Sequence, residues 1–104
     1  MYNATLLPLA KQDINEAAKW YNKKQKGLGK RFTLHVRQKI NFLKREPHVA
    51  AIRYDDVRTA VLDVFPYMVH YNIDDLNKSI IISAVLHTSR NPDLWGDERE
   101  IDSQ

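Results

Sequence analysis

Val57-Arg58-Thr59-Ala60-Val61-Leu62-Asp63-Val64-Phe65-Pro66-Tyr67-Met68-Val69-His70-Tyr71-Asn72-Ile73-Asp74, followed after a short turn by Ser79-Ile80-Ile81-Ile82-Ser83-Ala84-Val85-Leu86-His87, is the stretch that decides the fold. In its first run Ala60, Leu62 and Val64 alternate with Thr59, Val61 and Asp63, the period of two that a half-buried strand requires. Pro66-Tyr67 turns the chain, and Val69, Tyr71 and Ile73 then alternate with Met68, His70 and Asn72. Asp74-Asp75-Leu76-Asn77-Lys78 makes the next turn. The last run holds Ile80, Ile81 and Ile82 consecutively, with Val85 and Leu86 near its end, the pattern of a central strand buried on both faces. It closes on Leu86-His87-Thr88-Ser89-Arg90-Asn91-Pro92-Asp93-Leu94-Trp95, where an imidazole, a guanidinium and an indole cluster beyond the strands. A sheet presenting a polar working edge is expected there.

Upstream, Tyr2 to Leu7 reads as a short strand closed by Pro8. From Leu9 to about Lys24 the apolar residues Ala10, Ile14, Ala17, Ala18 and Tyr21 repeat at helical spacing. Gly27 and Gly29 interrupt that pattern and predict a tight connection. A second helical stripe follows, made of Leu28, Phe32, Val36, Ile40 and Leu43. It should stop near Glu46, because Pro47 disfavours helical backbone at the residue before it. Two amphipathic helices joined so closely pack as an antiparallel hairpin, and their apolar stripes need a larger surface to cover. The expected class is α+β: an N-terminal strand and an antiparallel helical hairpin packed on a mostly antiparallel twisted sheet.

A chain of 104 residues accommodates one domain and one core. Residues 1–96 are assigned to that domain and 97–104 to an acidic tail, whose composition predicts a frayed end. The absence of cysteine excludes disulfides and thiolate metal sites and permits a reducing compartment. No window is a signal peptide or approaches the roughly 20 apolar residues of a membrane span, so a soluble, cytoplasmic protein without membrane association is expected. The four histidines lack metal-ligand spacing, and neither a metal nor a cofactor is expected. Charge is distributed unevenly. Residues 9–46 hold eleven Lys and Arg against three acids, a balance of +8, and residues 47–104 hold five against ten, a balance of −5. Such asymmetry steers a polyanion or an acidic protein segment toward the basic half, unless it is simply a solvated helix face.

The order strand, basic helical hairpin, three strands carries Gly27-Leu28-Gly29-Lys30-Arg31-Phe32 at the second helix start and Phe65-Pro66-Tyr67-Met68-Val69-His70-Tyr71 across a hairpin. It ends in Ala84-Val85-Leu86-His87, then Arg90-Asn91-Pro92 and Trp95. Over residues 3–96 this resembles the RelE/ParE toxin superfamily, the toxic halves of bacterial toxin–antitoxin pairs. The resemblance implies a growth inhibitor silenced by a cognate antitoxin. Its target is either the ribosome with its mRNA, cut by RelE-like endonucleases, or DNA gyrase, poisoned by ParE-like proteins.

Cleaving RNA with its own 2′-hydroxyl needs a base, cations around the phosphorane and an acid for the leaving oxygen. In the RelE-like nucleases the resemblance implies an arginine just after the Tyr67 turn position, where this chain has Met68. Arg90 is a counterpart of their C-terminal arginine, but their catalytic tyrosine corresponds to Trp95, whose indole N–H is no base. Between Pro47 and Tyr67 only Arg53 and Arg58 are basic; they either line a nucleic-acid surface or, as is more usual for alternating charges near a turn, pair with Asp55 and Asp56. Other superfamily members use a histidine near the end of the final strand, so His87 with Arg90 is the candidate catalytic pair if the protein is a nuclease; a hydrogen-bonded structural histidine is the alternative. The expected function is therefore that of a ParE-like gyrase inhibitor without catalysis. The alternatives are an mRNA endonuclease and a non-toxic binding module. Candidate target-binding residues are Lys23, Lys24, Lys26, Lys30, Arg31, Arg90 and Trp95. Trp20, Leu34 and Phe42 fall away from the two helix stripes and are the candidate antitoxin contacts, with ordinary core packing the more usual alternative for any one of them, in a complex expected to be oligomeric.

Overall fold

The computed structural model describes residues 1–89 of the chain. Its elements run β1 (Asn3–Leu6), α1 (Pro8–Lys24), α2 (Leu28–Arg45), β2 (Ile52–Tyr54), β3 (Val57–Val61), β4 (Tyr67–Asp74) and β5 (Ser79–His87). The strands form one sheet in the order β1-β5-β4-β3-β2, parallel between β1 and β5 and antiparallel elsewhere. The expected α+β architecture is the observed one. β5 is interior, between β4 and β1.

Each helix starts and stops for local reasons. Pro8 opens α1, where its missing N–H costs nothing, and Lys23 and Lys24 in the last turn complement the helix dipole. The chain then turns at Gly27, whose φ of +87° is the left-handed region that favours glycine. Gly29 belongs to α2 itself, and its role is close approach: a Cβ there would lie 2.3 Å from the Ala18 carbonyl oxygen of α1. Its N–H donates to Asn22 Oδ1 at 2.9 Å, so α1 supplies a cap for α2. α2 ends at Arg45, as Pro47 dictates.

The helix stripes meet the sheet in one core. Ala10, Ile14, Ala17 and Tyr21 of α1 and Phe32, Val36, Ile40 and Leu43 of α2 are buried against Val69, Tyr71, Ile80, Ile82 and Val85. At one end an aromatic nest packs Phe32 against Tyr21, Phe65 and Tyr67 with centroids 5.3, 5.3 and 5.0 Å away. At the other end the buried Tyr71 hydroxyl donates to the Pro47 carbonyl at 2.7 Å.

Two features depart from the expected strands. β3 ends at Val61, short of Phe65, because Leu62 and Phe65 both turn into the core through a loop; Leu62 N–H donates to the Tyr67 carbonyl and Tyr67 N–H to that of Phe65. β2, not anticipated, makes a hairpin with β3 through Asp55 and Asp56, whose φ values of 44° and 65° give the doubly left-handed loop that matches strand twist.

Candidate functional site

β5 carries a bulge that decides where its final residues point. His70 pairs with Ala84 and Tyr71 with Ile82, so Ser83 is an extra residue in the ladder. One inserted residue exchanges the faces of everything after it. Ile80, Ile82 and Val85 accordingly face the helices, whereas Ala84 and Leu86 join Met68 on the opposite face. His87, two residues beyond Val85, returns to the helix side and meets Tyr67 edge-on at 5.2 Å.

There it borders a cleft of about 370 Å³ between α1 and the ends of β4 and β5. Asp13, Glu16 and Trp20 line it from α1 and Tyr67 and His87 from the strands, over a floor that includes Val85. Asp13 Oδ2 accepts the Val85 N–H at 3.0 Å, and Glu16 Oε1 accepts from Gln12 Nε2 at 3.0 Å. The His87 Nδ1 accepts the Ser89 N–H at 3.0 Å, which engages that nitrogen in the local turn. Neighbouring Tyr21 has its phenol pushed above the ordinary tyrosine range, first by burial and second by Tyr67.

The opposite face is different in kind. Met68, Ala84 and Leu86 pack there with half-buried Tyr54. His70 is fully buried, and its Nδ1 lies 2.9 Å from the Tyr54 hydroxyl. In the sequence this pair is marked only by an imidazole at the centre of an apolar strand run. Met68 and His87, on adjacent strands, thus stand on opposite faces. Arg58 does not pair with Asp55 or Asp56: its Nη1 donates to the Ala50 and His48 carbonyls at 2.6 and 3.4 Å, bracing the segment after α2.

The remaining candidate residues form two groups. Lys23, Lys24, Lys26, Lys30 and Arg31 are all exposed around the helix connection, the first two closing α1 and the last two opening α2. Lys24 Nζ lies 4.9 Å from the Trp20 ring centroid. Trp20, Leu34 and Phe42 are 51%, 47% and 36% exposed, so all three stand outside the core and the alternative of ordinary core packing does not hold. Arg90 and Trp95 lie outside the described residues.

Residues 5–92 match the family model described as ParE toxin of type II toxin-antitoxin system, parDE. No curated protein sequence matches the chain significantly. Among solved structures, the chain resembles the chromosomal ParDE system of P. aeruginosa at 17% identity and a TM-score of 0.63, over 86% of this chain and 98% of that one. The intact E. coli RelBE toxin-antitoxin complex gives 15% identity and a TM-score of 0.66, over 86% and 100%. The isolated E. coli RelE toxin gives 14% and 0.65, over 97% and 99%. At these identities the structural likeness carries the fold alone.

Proposed function

The chain belongs to the ParE toxin family of type II toxin–antitoxin systems, and from that membership we propose that it arrests growth in the cytoplasm by binding DNA gyrase, without catalysis, until a cognate antitoxin neutralises it. The observation that carries the non-catalytic reading is the setting of His87. Its imidazole borders a cleft lined by the Asp13 and Glu16 carboxylates, and one ring nitrogen is engaged by Ser89. Carboxylates repel a phosphodiester and oppose the charge that builds in a phosphorane, whereas a nuclease needs cations at that place. Met68, standing where the nuclease pattern has arginine, lies across the sheet from His87 and supports the same conclusion.

Target contact is assigned to the exposed cations Lys23, Lys24, Lys26, Lys30 and Arg31, with Arg90 and Trp95 beyond the described residues. Trp20, Leu34 and Phe42 supply apolar anchors for the antitoxin, where a segment that folds on binding buries its own apolar side chains.

The test is to induce the protein in cells and follow plasmid supercoiling and transcript integrity together. Loss of gyrase supercoiling with intact mRNA, unchanged by His87→Ala, is expected. Codon-positioned mRNA cuts abolished by His87→Ala overturn the proposal.

A further inference from the structure

Two of the three carboxylates between residues 9 and 46 lie one turn apart on α1, and both line the cleft beside His87. Like charges at that spacing repel each other on a helix by a few tenths of a kcal/mol. Asp13 has a structural duty, holding the Val85 N–H. Glu16 is exposed and lines the cleft from the helix, four residues before Trp20 on the same helix edge. The indole ring already holds one cation from its own chain, the Lys24 ammonium at 4.9 Å, so positive charge is favoured over its π face, and an incoming guanidinium takes the place of Lys24 or the opposite face.

A carboxylate and a half-exposed indole one turn apart, backed by the Tyr67 phenol and the His87 imidazole, are complementary to a planar cation. Guanidinium stacks on an aromatic face while donating two parallel N–H groups to a carboxylate; an ammonium ion does the second only as a point charge. Anionic ligands are disfavoured by the two carboxylates. The volume of about 370 Å³ is at the small end of ligand sites, which run from about 300 to 1,000 Å³, and suits one long side chain. We propose that this cleft receives an arginine side chain of a partner protein, its guanidinium held between the Glu16 carboxylate and the Trp20 indole.

This local negative site sits in the part of the chain whose balance is +8, so it selects one basic residue of a partner rather than a basic surface. It rests on the assignment of Trp20 to partner binding and is independent of gyrase as the target, so a failure of either is seen separately.

The test titrates the purified full chain with the blocked peptide Ala-Ala-Arg-Ala-Ala and with the same peptide carrying citrulline, the uncharged isostere, in place of arginine. Binding is followed by NMR at the Trp20 indole N–H and the His87 ring. Saturable shifts at both groups are expected for the arginine peptide, with the citrulline peptide at least about tenfold weaker and Glu16→Gln lowering arginine affinity by a similar factor. Glu16 is exposed, so that variant keeps the fold; Trp20→Phe, which retains an aromatic face, is expected to keep part of the affinity. Equal binding of the two peptides, unchanged affinity in Glu16→Gln, or shifts confined to other residues overturns the proposal.

Discussion

Asp13 Oδ2 accepts the Val85 backbone N–H at 3.0 Å, tying the first helix to the last strand across 72 residues of sequence. The bond has a topological cause. β1 pairs with β5 only as far as Ile82 and then gives way to α1, so the part of β5 beyond it has no strand neighbour on that side. Asp13 supplies the acceptor that a longer β1 would have offered. Replacing it with Ala removes a charge-assisted bond and strands an N–H, at a cost of about 1–3 kcal/mol. Asp13→Asn, which keeps an acceptor oxygen, is expected to lose less. Urea unfolding of the two variants, read as a shift of midpoint at constant slope, measures the difference.

The helix hairpin is held at closest approach by Gly29. Gly29→Ala places a methyl group against the Ala18 carbonyl, 2.3 Å away, and the helices must separate. A loss of about 1–3 kcal/mol follows, which for a domain of this size lowers Tm by several degrees. At Gly27 nothing lies near the added methyl group, and the penalty is the left-handed backbone alone, about 1–2 kcal/mol. A double mutant that costs less than the sum shows that separation of the helices has relaxed the turn.

Tyr2 and Asp75 give stability a pH dependence of definite sign. The Tyr2 hydroxyl donates to Asp75 Oδ1 at 2.6 Å, and His48 Nε2 lies 3.3 Å from the same carboxylate oxygen. The Tyr2 hydrogen bond, with a smaller contribution from His48, holds the Asp75 carboxyl below the usual carboxylate range. A carboxyl lowered by folding stabilises the protein above its unfolded pKa of about 3.9 and loses that contribution as pH falls through the lower folded value. The phenol is raised, first by its bond to Asp75, so its contribution is present below a pKa of about 10 and lost as pH rises past the folded value. Tyr2→Phe should flatten both limbs of a plot of urea midpoint against pH.

Lys30 and Arg31 separate stability from activity. They lie in the first turn or so of α2, which contains no acidic residue, so their charges oppose the helix dipole. Lys30→Glu and Arg31→Glu are each expected to stabilise the fold by about 0.3–1 kcal/mol while weakening the proposed inhibition of gyrase. Thermal unfolding and a supercoiling assay on the same variants check both directions. Variants that gain stability and keep full inhibition remove these cations from the target surface.

The helices were legible in the sequence because Ala10, Ile14, Ala17 and Tyr21 in one, and Phe32, Val36, Ile40 and Leu43 in the other, repeat at the helical period and are buried. β2 was not, because Ile52 and Arg53 are exposed and the strand consists of Ile52-Arg53-Tyr54 alone. Its turn also uses Asp55-Asp56 in place of the glycine-containing pair that usually marks such a hairpin. The bulge at Ser83 left no signal either: three consecutive isoleucines fit a strand in any register, so the face presented by His87 could not be read. For the site, the position of Trp20, Leu34 and Phe42 off the two helix stripes was legible, while the cleft joins α1 to residues more than forty positions away and exists only once the chain has folded.

The parallel pairing of Asn3 with Ser79 and Leu6 with Ile82 also bears on how the molecule is made. β1 must wait for more than seventy further residues to be made before its neighbour exists, and contacts so distant in sequence slow folding.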